Sequence, residues 1–220
     1  MKRLVIVVEG DTEKAFIDTV LAKYLFTKGI FDVSCFKIKH TKGGLTKYQH
    51  LKTDLINCVF ETSVIVTTLI DFYALPKDFP GYQEAISITN KSEKLSFIEK
   101  AILADIEKEK NKLLPNLIPY IQLHEFEALV FTSLDSITSL YGIGEMNFEE
   151  LKKVFQNYPN PEEINESSET APSKRLKKLI KGYNKINDGI MIIEETTIHT
   201  ILDKCPRFNN WVNLLIEKLV

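Results

Sequence analysis

Cysteine is scarce in this chain. The 220 residues hold three, Cys35, Cys58 and Cys205, far apart and in no C-x-x-C pair. That spacing suggests neither a disulfide framework nor a zinc knuckle, and it fits a reducing cytoplasm. Long apolar runs are missing too. The strand-length stretch that follows Met1-Lys2-Arg3 is too short for a signal-peptide core. No run approaches the roughly 20 residues that cross a bilayer, so no membrane contact is expected. Charge of one sign is not in excess: 28 Lys and Arg face 30 Asp and Glu, a net of −2. Any nucleic-acid contact must therefore come from a local patch. There is no G-x-G-x-x-G and no G-K-[ST] phosphate loop, which argues against a dinucleotide cofactor and against an ATPase activity of the chain's own. No Ser-His-Asp order is evident and no cysteine has an electropositive context, so covalent nucleophilic catalysis is disfavoured.

What is present describes an α/β protein. Apolar residues make up 44% and charged residues 26%, enough for a sizeable core in one domain or in one domain with an extension. Strands are expected at 3–8, 32–39, 64–70 and 117–123. Helices are expected from Asp11, read as an N-cap, to about residue 28, then at 46–60 and 92–110. The order β-α-β-α-β-α-β implies a mainly parallel four-stranded sheet flanked by helices. After residue 135 strands give way to short helical segments at 147–156, from Pro161 onward, at 173–182 and at 206–219. The expected division is a core of residues 1–135 and a helical C-terminal extension of 136–220 packed on it. The loop 72–81 is long enough to be functional.

The acids have a pattern. The run Val5-Ile6-Val7-Val8-Glu9-Gly10-Asp11-Thr12-Glu13 carries a buried strand straight into three carboxylates. Like charges that close cost stability unless a cation or a catalytic duty compensates. The third strand ends on Asp71, and the fourth leads into His124, Glu125 and Glu127. In an open α/β sheet, ligands bind beyond the carboxyl ends of the strands. Hard oxygen ligands gathered there suit Mg²⁺ or Mn²⁺, ions that neutralise phosphate charge and activate water. Each acid also has an ordinary reading. Asp11 caps a helix, Glu13 complements a helix dipole, Glu127 is solvated, and Asp71 caps the following loop. Glu9 stands apart, lying between the apolar strand and the turn. His124 reads as a buried hydrogen-bonding group or as a residue that tunes the site.

Two basic stretches complete the inventory. Residues 40–52 open a helix with Lys42, Lys47 and Lys52. They suit either a phosphate at the helix N-terminus or a turn with a solvated lysine face. Residues 173–180, with Lys174 and Arg175, form a basic amphipathic helix. It suits a nucleic-acid backbone or, more ordinarily, a solvated surface.

VIVVEGDTEKAF resembles the first Toprim motif, and VTTLIDFYALP resembles the third-strand motif of that fold. With LHEFEALVF, NPEEIN, TAPSKRLKKLI and KCPRFNNW, nearly the whole chain resembles the bacterial Toprim-like group called domain-of-unknown-function family 4276. The resemblance implies a Toprim-like catalytic core over 1–135, with Glu9 as general acid or base. Asp71 would be the first member of an Asp-x-Asp pair that holds Mg²⁺. Tyr73 stands at the second position. Glu125 or Glu127 would then supply the missing oxygen, with Asp78 a weaker candidate, and Tyr73 would bond a phosphate or stack on a base. The implied activity is Mg²⁺- or Mn²⁺-dependent phosphodiester hydrolysis of DNA or RNA. Lys42, Lys47, Lys174 and Arg175 would position the strand. An ATPase partner in phage defence is implied as well, and self-association is left open. The rival readings are a catalytically degenerate binding or regulatory subunit, and a phosphatase or nucleotidyl enzyme acting on small phosphorylated substrates under the 72–82 loop.

Overall fold

Every residue from 4 to 8 in the first strand is buried, as a sheet covered on both faces requires. The computed structural model, which describes residues 2–39, 44–73, 75–142, 144–164 and 169–220, shows that sheet. Its strands are β1 (Arg3–Val8), β2 (Val33–Lys37), β3 (Val64–Asp71), β4 (Leu117–Ile118) and β5 (Ile121–Gln122). They run in the order β2-β1-β3-β4, with β5 also on β3, and every pairing is parallel. The mixed α/β architecture, a parallel sheet flanked by helices and closed by a C-terminal helix, is consistent with a Toprim-like fold.

Alternate side chains feed two cores. Leu4, Ile6, Val8, Ile65 and Leu69 face one side. Val5, Val7, Val64, Val66 and Ile70 face the other. Helices Tyr48–Val59 and Lys91–Lys110 cover the second side. The first side takes the helix that runs through Asp11–Phe16, a π-helical turn at Ile17–Leu21 and Ala22–Thr27. It also takes the helices after residue 135, so sheet and extension share one hydrophobic cluster. Among those helices are Pro172–Leu179, Asn187–Thr196 and Pro206–Leu219. The last is pinned at several points. Trp211 Nε1 donates to Thr67 Oγ1 of β3 (2.9 Å) and its ring stacks on Tyr120 at 4.6 Å. The buried Glu162 carboxylate accepts the Arg207 and Phe208 amides (2.9 and 3.1 Å) at the helix start. Among the described residues no helix is long and apolar enough to cross a membrane.

Two local expectations change. The fourth strand, expected as one run over 117–123, is split at Pro119 and Tyr120. Proline has no N–H to give the ladder. The neighbouring strand mends the break with hydroxyls. Thr67 Oγ1 donates to the Ile118 carbonyl (2.6 Å), and Thr68 Oγ1 accepts the Tyr120 amide (2.8 Å). The register on β3 therefore carries through, from Val66↔Leu117 to Ile70↔Ile121. The second change is the first helix cap. Gly10, in extended backbone, is the N-cap, and Asp11 is the first helical residue. The Asp11 carboxylate pairs instead with Lys37 of β2 (2.7 Å).

Candidate carboxylate cleft at the strand ends

β1 and β3 lie side by side with Val8 opposite Leu69, so Glu9 and Asp71 emerge at the same edge of the sheet. The first helical turn adds Glu13. With the exposed Asp11 beside them, these acids line one cleft of about 500 Å³, whose lining also includes Lys177, Tyr183 and Lys185.

Each acid is held differently. Glu9 Oε1 accepts the Leu45 amide at 3.1 Å. Gly44, at φ +106°, turns the chain so that this amide faces the acid, a backbone state that favours glycine. Burial pushes the Glu9 carboxyl above its usual value and Glu13 adds repulsion, while the Leu45 and Asp71 amides and Lys185 pull it back. Glu13 is buried and folds back over Gly10: a Cβ there would lie 2.8 Å from Glu13 Oε2. Glycine at position 10 therefore makes room for the carboxylate. Asp71 is buried at the end of β3, and its Oδ1 accepts the Phe126 amide at 2.9 Å. Burial raises its carboxyl well above the usual range. Glu13, Glu127 and Glu9 add to that, against Lys185.

Glu127 lies behind this group, fully buried. Lys185 Nζ is 2.9 Å from its Oε1, a close ion pair. Burial pushes the Glu127 carboxyl up to about 7 against the pull of Lys185. For Lys185, burial acts downward, but Glu127, Asp71 and Glu13 outweigh it and hold the ammonium above the ordinary lysine value.

The other expected residues are placed elsewhere. Both Glu125 oxygens are taken by Ser173, one by its amide (2.9 Å) and one by its hydroxyl (3.0 Å), which anchors the start of helix Pro172–Leu179. Glu125→Ala is expected to lower stability by about 2 kcal/mol, because it leaves these two groups unpaired in a nearly buried place. A chemical denaturation midpoint equal to that of the wild type would refute this structural role. Asp78 accepts the Tyr48 amide (3.2 and 3.1 Å), so its carboxylate fills the anion position at that helix start. Lys47 is exposed beside it, and Lys52 is buried between Asp105 and Glu109 (2.8 and 2.6 Å). Lys42 lies outside the described residues. Tyr73 is exposed past the end of β3, its amide bonded to the His124 carbonyl (2.7 Å). His124 is buried with φ +68°, and burial, helped by Lys91, lowers its imidazole to about 4.

The basic helix reaches the cleft through a different residue from those expected. Lys174 is exposed. Arg175 is half-buried, donating to the Thr170 carbonyl (2.8 Å) over the Tyr158 ring. Lys177, one turn further on, lines the cleft. Sequence reasoning also missed Tyr183 and Lys185. No local pattern marks them, since they lie on the link between two helices of the extension.

Among the described residues, no three His, Cys, Asp or Glu side chains form a ready metal-holding group. A cage of that kind is not what Mg²⁺ usually takes. One or two carboxylates, water and substrate phosphate commonly complete its shell. Glu9 and Asp71, with hard oxygens in a cleft short of positive charge, fit that donor set.

Neither the curated proteins nor the solved structures contain a match. One family's sequence model does match, that of the domain of unknown function DUF4276, and it covers residues 8–216. That span runs from Val8, the last residue of β1, through the carboxylate cleft and nearly all of the helical extension, and the chain belongs to the DUF4276 family.

Proposed function

We propose that the protein is a Mg²⁺- or Mn²⁺-dependent phosphodiester hydrolase of Toprim type, a nuclease acting on DNA or RNA. One observation carries this reading: Glu9 and Asp71, from adjacent parallel strands, meet with Glu13 in a partly desolvated cleft whose acids outnumber its lysines, Lys177 and Lys185. A phosphodiester is itself an anion and enters such a cleft only with a cation. Bound there by Glu9 and Asp71, the metal would neutralise phosphate charge and lower the pKa of a water. The chain's own groups supply the rest. Glu9, held by the Leu45 amide and raised above an ordinary carboxylate, would either share in holding the metal or take a proton from the attacking water. Asp71, fixed through Oδ1 by the Phe126 amide, keeps its other oxygen for the metal. Lys177 and the exposed Lys174 on one helix offer the nucleic-acid backbone its counter-charge. ATP control, as in phage-defence systems, would come from an ATPase partner, because the chain has no phosphate loop of its own.

A second reading, a binding or regulatory subunit, is favoured by Tyr73 at the position of the second aspartate. One assay separates the two. Plasmid, single-stranded DNA and RNA are incubated with Mg²⁺ or Mn²⁺ and with wild type, Glu9→Gln or Asp71→Asn. Metal-dependent cleavage lost in both variants supports the hydrolase. Cleavage that survives both removes this cleft from the chemistry. No cleavage by wild type, alone or with an ATPase encoded beside it, supports the regulatory subunit.

A further inference from the structure

Lys185 joins two environments. It lines the open cleft together with Glu9, Glu13 and Asp71. Its Nζ also reaches to 2.9 Å from Glu127, which is fully buried. Among the described residues Lys185 is the one cation paired with the Glu127 carboxylate. The lysine ammonium is therefore the counter-charge on which this buried acid relies, and it sits at the border between Glu127 and the open carboxylates. A hairpin-like link holds it there. Asn184 Oδ1 accepts the Ile186 and Asn187 amides (both 3.0 Å), and Asp188 accepts the Asn184 amide (2.7 Å). A side chain that is 37% exposed keeps a path into solvent.

Two cations cannot share one small group of carboxylates without repelling each other. We propose that Lys185 is the resident counter-ion of the cleft, occupying the charge position that a divalent cation takes over, and so sets the affinity of the site for metal. The inference rests on the metal-dependent reading above and adds its regulation. While Lys185 is paired with Glu127 it keeps the acid cluster stable without metal. On metal entry the ammonium moves away from the acids along its exposed side, to the mouth of the cleft, where an incoming phosphate needs a positive partner.

The test is direct Mn²⁺ binding to the full chain, by calorimetry or by the electron spin resonance signal of free Mn²⁺, for wild type, Lys185→Met and Lys185→Arg. Lys185→Met keeps the length of the side chain and removes its charge. It is expected to bind Mn²⁺ about tenfold more tightly than wild type or better, while Lys185→Arg stays within about threefold of wild type. If Lys185→Met does not fold, Lys185→Met combined with Glu127→Gln removes both partners of the pair. That variant must then bind more tightly than Glu127→Gln alone. Folded Lys185→Met that binds Mn²⁺ no better than wild type overturns the inference. If wild type still binds Mn²⁺ and cleaves, the metal-dependent reading survives that failure. If neither protein binds Mn²⁺, both fall.

Discussion

Asp71→Asn is expected to abolish phosphodiester cleavage and, at pH 7.5, to make the protein more stable. The two effects have one origin. Asp71 is buried among Glu13, Glu127 and Glu9, and burial together with these neighbours holds its carboxyl well above the usual value. Ionising it in the folded protein therefore costs more than ionising it in the unfolded chain. Asparagine keeps an oxygen for the Phe126 amide, so the hydrogen bond that positions residue 71 survives. What disappears is the charge, with its desolvation and its repulsion. A gain of about 1 to 2 kcal/mol is expected, typical of relieving a strained functional site. The loss of a charge aimed at the reacting centre is expected to lower the cleavage rate by about 10³-fold. The sign has a pH dependence. Below the ordinary aspartate value both folded and unfolded chains hold the proton, so the advantage of asparagine vanishes in acid and returns as pH rises. Urea denaturation of both proteins at pH 4 and pH 7.5, with cleavage rates at pH 7.5, makes the check. An Asp71→Asn protein less stable than wild type at pH 7.5 would mean that the negative charge supports the fold, chiefly through Lys185, and would remove the argument for a functional acid.

The sheet was legible in the sequence because its residues answer to simple demands. β1 and β3 are covered on both faces, and near-continuous apolar runs satisfy that: residues 4–8 are all apolar, and 64–70 are apolar except for the buried Thr67 and Thr68, whose hydroxyls are bonded. The convergence of Glu9 and Asp71 follows once β1 and β3 are parallel neighbours. Contacts between distant parts of the chain were not legible. An acid that caps a remote amide looks the same in sequence as an acid that binds a metal. Glu125 serves Ser173, Asp78 serves Tyr48, and Glu162 serves Arg207 and Phe208. Asp11 likewise has cap chemistry, yet a strand lysine takes its carboxylate while Gly10 does the capping. The basic helix poses the same difficulty in another form. Its periodicity shows that it is amphipathic, but which lysine meets the cleft depends on the angle at which it docks, and that choice falls on Lys177. Lys185 required the whole extension to be in place, because it meets Glu127 only after the chain has returned across the strand ends.

Glu127→Gln is expected to remove a fall in stability that the wild type shows between pH 4.5 and about 7. Burial holds the Glu127 carboxyl up at about 7 in the folded protein, against 4.5 for a free glutamate. Between these values the folded chain keeps a proton that the unfolded chain releases. Stability from this group is therefore fully present below pH 4.5 and declines as pH rises through about 7. The whole decline amounts to about 3 kcal/mol at 1.4 kcal/mol for each tenfold change in proton affinity. His124 works in the opposite sense. Its imidazole, lowered to about 4, resists a proton that the unfolded chain accepts near 6.5, so it takes stability away as pH falls through that range. The two slopes oppose each other in wild type, and the difference between variant and wild type isolates Glu127. Unfolding free energies of both proteins at half-unit steps from pH 4 to pH 8 should give a difference that grows in favour of the Glu127→Gln protein up to pH 7 and then levels. A flat difference would show that Lys185 fully offsets the burial of Glu127, leaving the carboxylate ionised across the range. In that event the ion pair at 2.9 Å would be a fixed structural link and not a displaceable one.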